Sequence, residues 1–389
     1  MIVVGAGYAG AVCARALADC GRTVLVMERR DHVGGNAYDC LDEAGVLIHR
    51  YGPHIFHTKD EAVYRWLSRF TQWRDYQHRV VANIPAEDGS RMTYPVPFNL
   101  TSLETAFGQA EGQRLGNKLL AAYGPEQKVT ILELRQDPDP EIAALADYVY
   151  EHVFVHYTMK QWGQKPEDID PNTTARVPIF LSRDDRYFQD PYQGMPLKGY
   201  TPMFEAMLDH PHISLALGVE ALDHLDVTDD GVLFEGEPFH GPVIYTGQVD
   251  ELFRFRFGPL PYRTLDFRFE TLPQEDLQGY GTVNYTVDRP YTRITEFKHL
   301  TGQTVPGRTT IVKEYSKAYG GLPGEIPYYA IINDANNALY QQYKALASRC
   351  EGLHLLGRLA EYKYYNMDAI AGRALALAQD LVRPGEKEN

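Results

Sequence analysis

The chain opens on an apolar run, IVV, then GAGYAG, then apolar residues at helical spacing. Ala11, Ala14, Leu17 and Ala18 fall on one face of that helix, and Gly21 ends it. TVLVME is an unbroken apolar and β-branched run, which predicts a strand covered on both faces. Strand, helix and strand make a βαβ unit. Residues 100–170 read as mostly helical, with LETAFGQAEGQRLGNKLLAAYG the clearest stretch. IAALADYVYEHVFVHY (142–157) predicts another helix that ends before QWGQKP. Between 255 and 335 the period changes. FRFGPLPYRTLDFRFETL, GTVNYTVD, YTRITEFKHL and RTTIVKEY alternate apolar with polar positions, as half-exposed antiparallel strands do. VIYTG (243–247) predicts a buried strand with a glycine close-approach at its end, and HLLGRLA leads through a turn into a final helix, MDAIAGRALALAQDLV.

Charge narrows the range of partners. Lys and Arg total 38 against 52 Asp and Glu, a net charge of −14, which repels nucleic acid and anionic membrane alike. An anionic ligand would therefore need arginines aimed at it. The apolar runs fall short of a membrane span. The four cysteines, Cys13, Cys20, Cys40 and Cys350, include no CxxC pair, so neither zinc nor a disulfide framework is expected, and a reducing cytoplasm is. Tyrosine is abundant, 27 against 16 Phe, which suits a pocket that stacks rings and hydrogen-bonds sugars or phosphates.

The strongest motif sits at the start. Gly5, Gly7 and Gly10 form G-x-G-x-x-G between a strand and a helix, where a pyrophosphate approaches backbone N–H groups at the helix N-terminus. Glu28 closes the second strand, placed to accept from ribose hydroxyls. Arg30 follows, then three residues, then Gly34 and Gly35. This R-x-x-x-G-G extension resembles the glutathione-reductase-like FAD superfamily and points to FAD as the dinucleotide. Gly357 permits a second close backbone approach to the cofactor. Asn366 is placed to cap a helix beginning near Met367, whose N-terminus supports negative charge on a flavin. No second G-x-G-x-x-G offers a nicotinamide site. RYGPHIFHT (50–58) holds His54 and His57 at a spacing that suits metal ligands, but no acid or cysteine set completes such a site, so no metal is expected.

Eight stretches in order, GGNAY, YGPHIFHT, YTMKQWG, RYFQDPYQGMP, KGYT, PYTRITEFKH, IPYYAI and GRLAEYKYYNMD, closely resemble the bacterial UDP-galactopyranose mutase family and span nearly the whole chain. The resemblance implies a redox-neutral interconversion of UDP-galactopyranose and UDP-galactofuranose, active with reduced FAD, through a covalent adduct between flavin N5 and the sugar anomeric carbon. By match to the family, Arg176 and Arg293 clamp the diphosphate, whose geometry suits planar guanidinium forks, and Arg263 and Arg358 act nearer the sugar and flavin. Arg176 would ride a mobile loop, in the region 163–194, that closes over substrate. Tyr157, Tyr187, Tyr329 and Tyr364 match tyrosines around diphosphate and uridine. Thr158, Trp162 and Phe154 are placed near the substrate, Phe154 against uracil. The His54 segment would pass beside the isoalloxazine, with Ile55, and His54 itself would transfer protons or shape the pocket. Arg29, Asn36 and Val219 are further cofactor contacts by the same match. Asn366 stands where many members carry Asp, which removes a negative charge near flavin and substrate.

The expected fold class is α/β: a Rossmann-like, glutathione-reductase-like FAD-binding domain with a helical insert and an antiparallel β-sheet domain. Its expected segments are 1–75, 195–250 and 335–389 for the FAD domain, 98–175 for the helical domain, and 76–97, 176–194 and 251–334 for the sheet domain. UDP-galactose and UDP are the expected ligands and a homodimer the expected assembly. Two other functions fit the FAD signature alone: an amine-oxidase-type flavin oxidase and a non-catalytic binder on the same fold.

Overall fold

A computed structural model describes residues 1–86, 88–163, 178–228 and 231–382. A five-stranded sheet runs in the order Ile213–Leu217, Val24–Glu28, Ile2–Val4, Val243–Tyr245, Leu353–Leu355, and every pairing is parallel. Two core clusters explain the unbroken apolar strands. On one side Val3, Val24, Val26 and Ile244 pack with helix Tyr8–Asp19 and the final helix Met367–Val382. On the other, Ile2, Met27, Val243 and Tyr245 pack with Ala221, Leu225, Val232 and Leu252. VIY is the buried strand its composition predicts, and the last helix spans the predicted residues.

The second sheet has seven strands, Tyr329–Ala330, Tyr262–Leu272, Thr309–Ala318, Arg293–Glu296, Thr282–Asn284, Val80–Pro85 and Arg91–Val96. Its pairings are antiparallel except one: Thr282–Asn284 runs parallel to Val80–Pro85. The alternation therefore identified the strands but not this pairing, which joins segments about 200 residues apart. FKHL also departs from the strand pattern, because Phe297–Thr301 is a helix. Phe297 and Leu300 are both fully buried at i, i+3, a helical spacing that the polar neighbours disguised as alternation.

The helical region holds Leu100–Phe107, Gln109–Tyr123, Ile131–Leu134 and Pro140–Val149. The last of these does not stop near 157. It passes through a π-helical stretch, Tyr150–Val155, into helix His156–Trp162, so Gln161 and Trp162 are helical rather than past the end. A π turn misaligns the usual backbone ladder, and the Thr286 hydroxyl donates to the His152 carbonyl there at 2.5 Å. Gly163 ends the helix in the left-handed conformation, its N–H on the Met159 carbonyl.

Polar groups are enclosed at defined points. Asp39 accepts from the N–H groups of Tyr200 (2.6 Å) and Thr201 (2.8 Å), satisfying the start of helix Tyr200–Leu208 from a different strand. Three histidines are withdrawn from water, His49 and His78 buried and His54 partly so: desolvation pulls the pKa of each down to about 3, and nearby arginines add to the effect at His54 and His78. All three imidazoles are neutral in the fold.

Replacing Asp39 with Ala removes both cap acceptors and should cost about 1–2 kcal/mol, read from urea denaturation. The histidines set an acid limit. Their folded pKa lies below the ordinary 6.5. The unfolded chain therefore takes up protons as pH falls through that value while the fold refuses them, and stability is lost progressively from pH 6.5 toward 3. Unfolding near pH 5 should take up about three protons from these groups. A free energy of unfolding that is flat across this window would contradict their neutral state.

Candidate active site

A cavity of about 340 Å³ opens where strands Ile2–Val4 and Val24–Glu28 end, the usual crevice of an open parallel sheet. Its glycines are there for space. A Cβ on Gly10 would lie 1.9 Å from the Gly5 carbonyl oxygen, so the helix can start directly on the turn only without one. Gly7 faces Gly35 across the cavity, where a Cβ on Gly35 would come within 2.9 Å of the Gly7 Cα. Gly34, at φ +90°, turns the chain into that position.

Charged groups ring these turns. Glu28 is buried and accepts from the N–H groups of Ala6 (2.8 Å) and Arg30 (3.0 Å), one to each carboxylate oxygen, leaving a second lone pair on each. Arg29 sits on the rim, paired with Glu220 (3.2 Å) and Glu251 (2.9 Å). Arg30 is held by the Asn36 side-chain oxygen (2.8 Å) and lies over the Tyr51 ring, and its Nη1 is buried with no partner among the described residues. Val219 lines the cavity with its N–H donated to the Glu28 carbonyl. Gly357 and Met367 line the far side; the Gly357 N–H donates to Glu361 at 2.8 Å. The Asn366 carbonyl accepts from Ile370 and so begins the final helix. Ile55 instead packs onto the core around helix Tyr8–Asp19. Bare backbone at facing glycines, an unpartnered buried guanidinium nitrogen and a carboxylate with spare lone pairs fit a dinucleotide cofactor.

His54 and Arg358 belong to this cavity, and His54 also feels the charge of Arg293, which links the cavity to a second group of residues. Arg293 donates through Nε to Glu314 at 2.7 Å. Glu314 is almost wholly buried, directly opposite Arg293 on the neighbouring strand. Burial works against the Arg293 charge, but Glu314 outweighs it and the pKa is raised. The terminal nitrogens of Arg293 make no hydrogen bond among the described residues. Tyr157, Tyr329 and Glu314 neighbour this cation, and Tyr187 lies near Tyr157; burial raises the pKa of the Tyr157 and Tyr329 phenols, which stay neutral donors. Arg358 donates Nε to the Tyr365 carbonyl (2.7 Å) and lies 4.5 Å over the ring of Tyr364, which stacks against Tyr329 at 6.2 Å.

The remaining expected site residues divide. Arg263 is buried and points at the end of helix His156–Trp162, donating to the carbonyls of Gln161 (3.1 Å) and Lys160 (3.4 Å) and to the Ser316 hydroxyl (3.0 Å). The position expected to contact substrate thus serves as a helix cap, because cations complement the carbonyl end of a helix. Lys160 reinforces the same end through the carbonyls of Tyr285, Arg289 and Tyr291. Phe154 and Thr158 are buried on this helical stretch, Phe154 near Tyr150. Trp162 is the last helical residue and its side chain lies outside what is described; Arg176 lies outside the described residues altogether.

Sequence reasoning missed Glu314, which reads as an ordinary polar position in a strand. It also passed over His49, whose backbone-directed role has no local signature, and used Arg30 only as a motif letter. Asp276, Glu296 and His299 bring three possible metal ligands together, but Glu296 accepts from Leu277, Gln278 and Thr309, which accounts for its burial structurally. Among the described residues no helix is long and apolar enough to cross a membrane.

Known proteins resemble this chain in sequence and fold. The family profile described as UDP-galactopyranose mutase matches residues 152–364, and one described as an NAD(P)-binding Rossmann-like domain matches 3–70. A UDP-galactopyranose mutase of Mycoplasma pneumoniae is 36% identical, over 98% of this chain and 96% of that protein. A probable UDP-galactopyranose mutase of Klebsiella pneumoniae is 35% identical over 98% and 94%. A dTDP-fucopyranose mutase of Escherichia coli is 32% identical over 97% of each. Among solved structures, reduced UDP-galactopyranose mutase superimposes with a TM-score of 0.71 at 17% identity, covering 98% of this chain and 93% of that one. Putrescine oxidase bound to putrescine reaches 0.59 at 16%, covering 98% of each chain, so the fold is shared with flavin oxidases. With a matched profile over more than half its length and relatives above 30% identity from end to end, this chain belongs to the UDP-galactopyranose mutase family.

Proposed function

We propose that this isomerase interconverts UDP-galactopyranose and UDP-galactofuranose on reduced FAD held in the glycine-lined cavity. The observation that carries the reading is the junction at His54 and Arg358, where that cavity meets the Arg293–tyrosine cluster. A bound FAD, once reduced, supplies through N5 the nucleophile for the sugar anomeric carbon.

The chain's own residues have definable tasks. Gly5, Gly7, Gly34 and Gly35 admit the pyrophosphate to bare backbone, with Arg30 as its counter-charge and Glu28 on the ribose. Arg293 offers its free terminal nitrogens to the substrate diphosphate while Glu314 fixes the guanidinium through Nε. Arg176 is the second clamp in this reading. Arg358 holds its position by Tyr365 and Tyr364 and adds positive potential where diphosphate charge develops on leaving. Tyr157, Tyr187, Tyr329 and Tyr364 donate phenol O–H groups without adding charge, and Phe154, Thr158, Trp162 and Asn366 complete the uridine side. Arg263 belongs to the scaffold of that side. An amine substrate, being cationic, would meet two arginines here, which disfavours an oxidase of the putrescine type despite the shared fold.

Dithionite-reduced holoprotein should convert UDP-galactofuranose to UDP-galactopyranose, followed by chromatography, with dTDP-fucopyranose as a parallel substrate. No conversion of the UDP sugar refutes the assignment, and faster turnover of the dTDP sugar moves it to the neighbouring specificity. Arg293→Lys keeps the charge opposite Glu314 but loses the planar fork, so kcat/KM should fall about 100-fold with flavin retained. Activity within twofold of wild type would remove Arg293 from the clamp.

A further inference from the structure

His49, the last residue of strand Leu47–His49, and His54, in the loop that follows, each have a ring nitrogen fixed by a hydrogen bond. The backbone N–H of His54 donates to Nδ1 of His49 at 3.0 Å. Nδ1 of His49 must therefore be bare. His49 is 1% exposed, edge-on to Tyr200 at 5.6 Å and beside Phe297 at 5.7 Å, surroundings that exclude an imidazolium, so its one proton is on Nε2. His54 has its own fixed bond: Nδ1 lies 2.8 Å from the Gly52 carbonyl. A carbonyl only accepts, so this Nδ1 carries the proton. His54 is neutral as well, which leaves Nε2 bare. That nitrogen makes no hydrogen bond among the described residues, is not sealed in the core, and belongs to a ring on the wall of the cofactor cavity.

The loop is built to hold this pattern. Gly52 sits at φ +88°, where a Cβ would come 2.8 Å from the Phe267 ring, so the carbonyl that receives His54 Nδ1 is positioned by a conformation that favours glycine. Pro53 has no N–H. The first donor after Gly52 is thus the His54 N–H, and it goes to His49.

We infer that His49 is a positioning residue that fixes His54 in the Nδ1–H tautomer, presenting Nε2 as a permanent hydrogen-bond acceptor to the cleft. Resting on the function proposed above, this narrows what His54 does. It has no proton to give from Nε2 and does not serve as a general acid there. Its ligand must be a donor, an O–H or an N–H. Two sources carry that chemistry in this cleft: a sugar hydroxyl, or the N–H groups that a flavin gains on reduction. The flanking cations Arg293 and Arg358 make protonation of His54 still less favourable, which keeps the lone pair available.

Nitrogen-15 NMR of the resting holoprotein labelled at histidine reads the two tautomers without substrate, so failure of that measurement is separable from failure of the assigned reaction. His54→Gln identifies the His54 signals. At pH 7, His54 should show a protonated Nδ1 and a bare Nε2, and His49 the opposite; an imidazolium or an Nε2–H at His54 overturns the proposal. His49→Asn, whose side-chain oxygen replaces Nδ1 as acceptor, should keep the single His54 tautomer. His49→Phe should mix the tautomers and lower kcat on the order of 10-fold with KM changed far less. An unmixed His54 signal in His49→Phe removes His49 from the role. The Nε2 shift then identifies the donor. Movement on flavin reduction alone assigns it to the cofactor, movement only on addition of UDP-galactofuranose to reduced protein assigns it to the sugar, and no movement in either arm refutes the acceptor.

Discussion

The ion pair of Arg293 with Glu314 organises the rest of the cleft. A carboxylate as buried as Glu314 is tolerable only with a partner at hand, and the register of the seven-stranded sheet puts Arg293 directly opposite it. The pair is not there chiefly for stability, since two charges taken from water gain little net energy. Its effect is positional. One nitrogen of the guanidinium is tied to the sheet while the others make no hydrogen bond among the described residues, so a protein carrying −14 overall holds a fixed cation at this point of the sheet. The tyrosines packed around it, Tyr157 and Tyr329 among them, add donors without altering that charge.

The two halves of the site are built by different means. At the cofactor end, function depends on missing atoms: glycines whose absent side chains allow backbone to meet backbone. Around Arg293 the neighbourhood is built instead from long side chains restrained by a second contact each, Arg293 by Glu314 and Arg358 by the Tyr365 carbonyl and the Tyr364 ring. Restraint of this kind lowers the entropy lost when ligand binds. His54 stands between the halves and belongs to both.

What was legible in the sequence follows from the range of the forces involved. The βαβ unit, its glycine spacing and the final helix are local patterns, and they fold as they read. The His54 segment and the PYTR and GRLAEYKYY stretches were identified by resemblance, and the structure brings His54, Arg293, Arg358 and Tyr364 into one neighbourhood. What the reading left out depends mostly on distant partners. Arg263 looks like any cation near a pocket until the carbonyls of Lys160 and Gln161, a hundred residues away, are seen to claim it. The continuation of the helix to Trp162 depends on a π turn met by Thr286. The helix at Phe297 is written in two buried positions three residues apart, too short a pattern to stand out after the alternation of YTRITE. His49 carries no motif at all, because its task is defined by a backbone N–H five residues on.

The strand order has a consequence for how the molecule is made. Of the five strands of this sheet Ile2–Val4 is made first, yet it lies between Val24–Glu28 and Val243–Tyr245, and the sheet is closed by Leu353–Leu355. The glycine turn that receives the cofactor thus rests on a strand whose second neighbour appears some 240 residues later. During synthesis the βαβ unit waits with one edge of its central strand open, an arrangement of high contact order that exposes apolar backbone until nearly the whole chain is available. The −14 charge, spread along the chain, opposes association of such half-formed sheets while they wait.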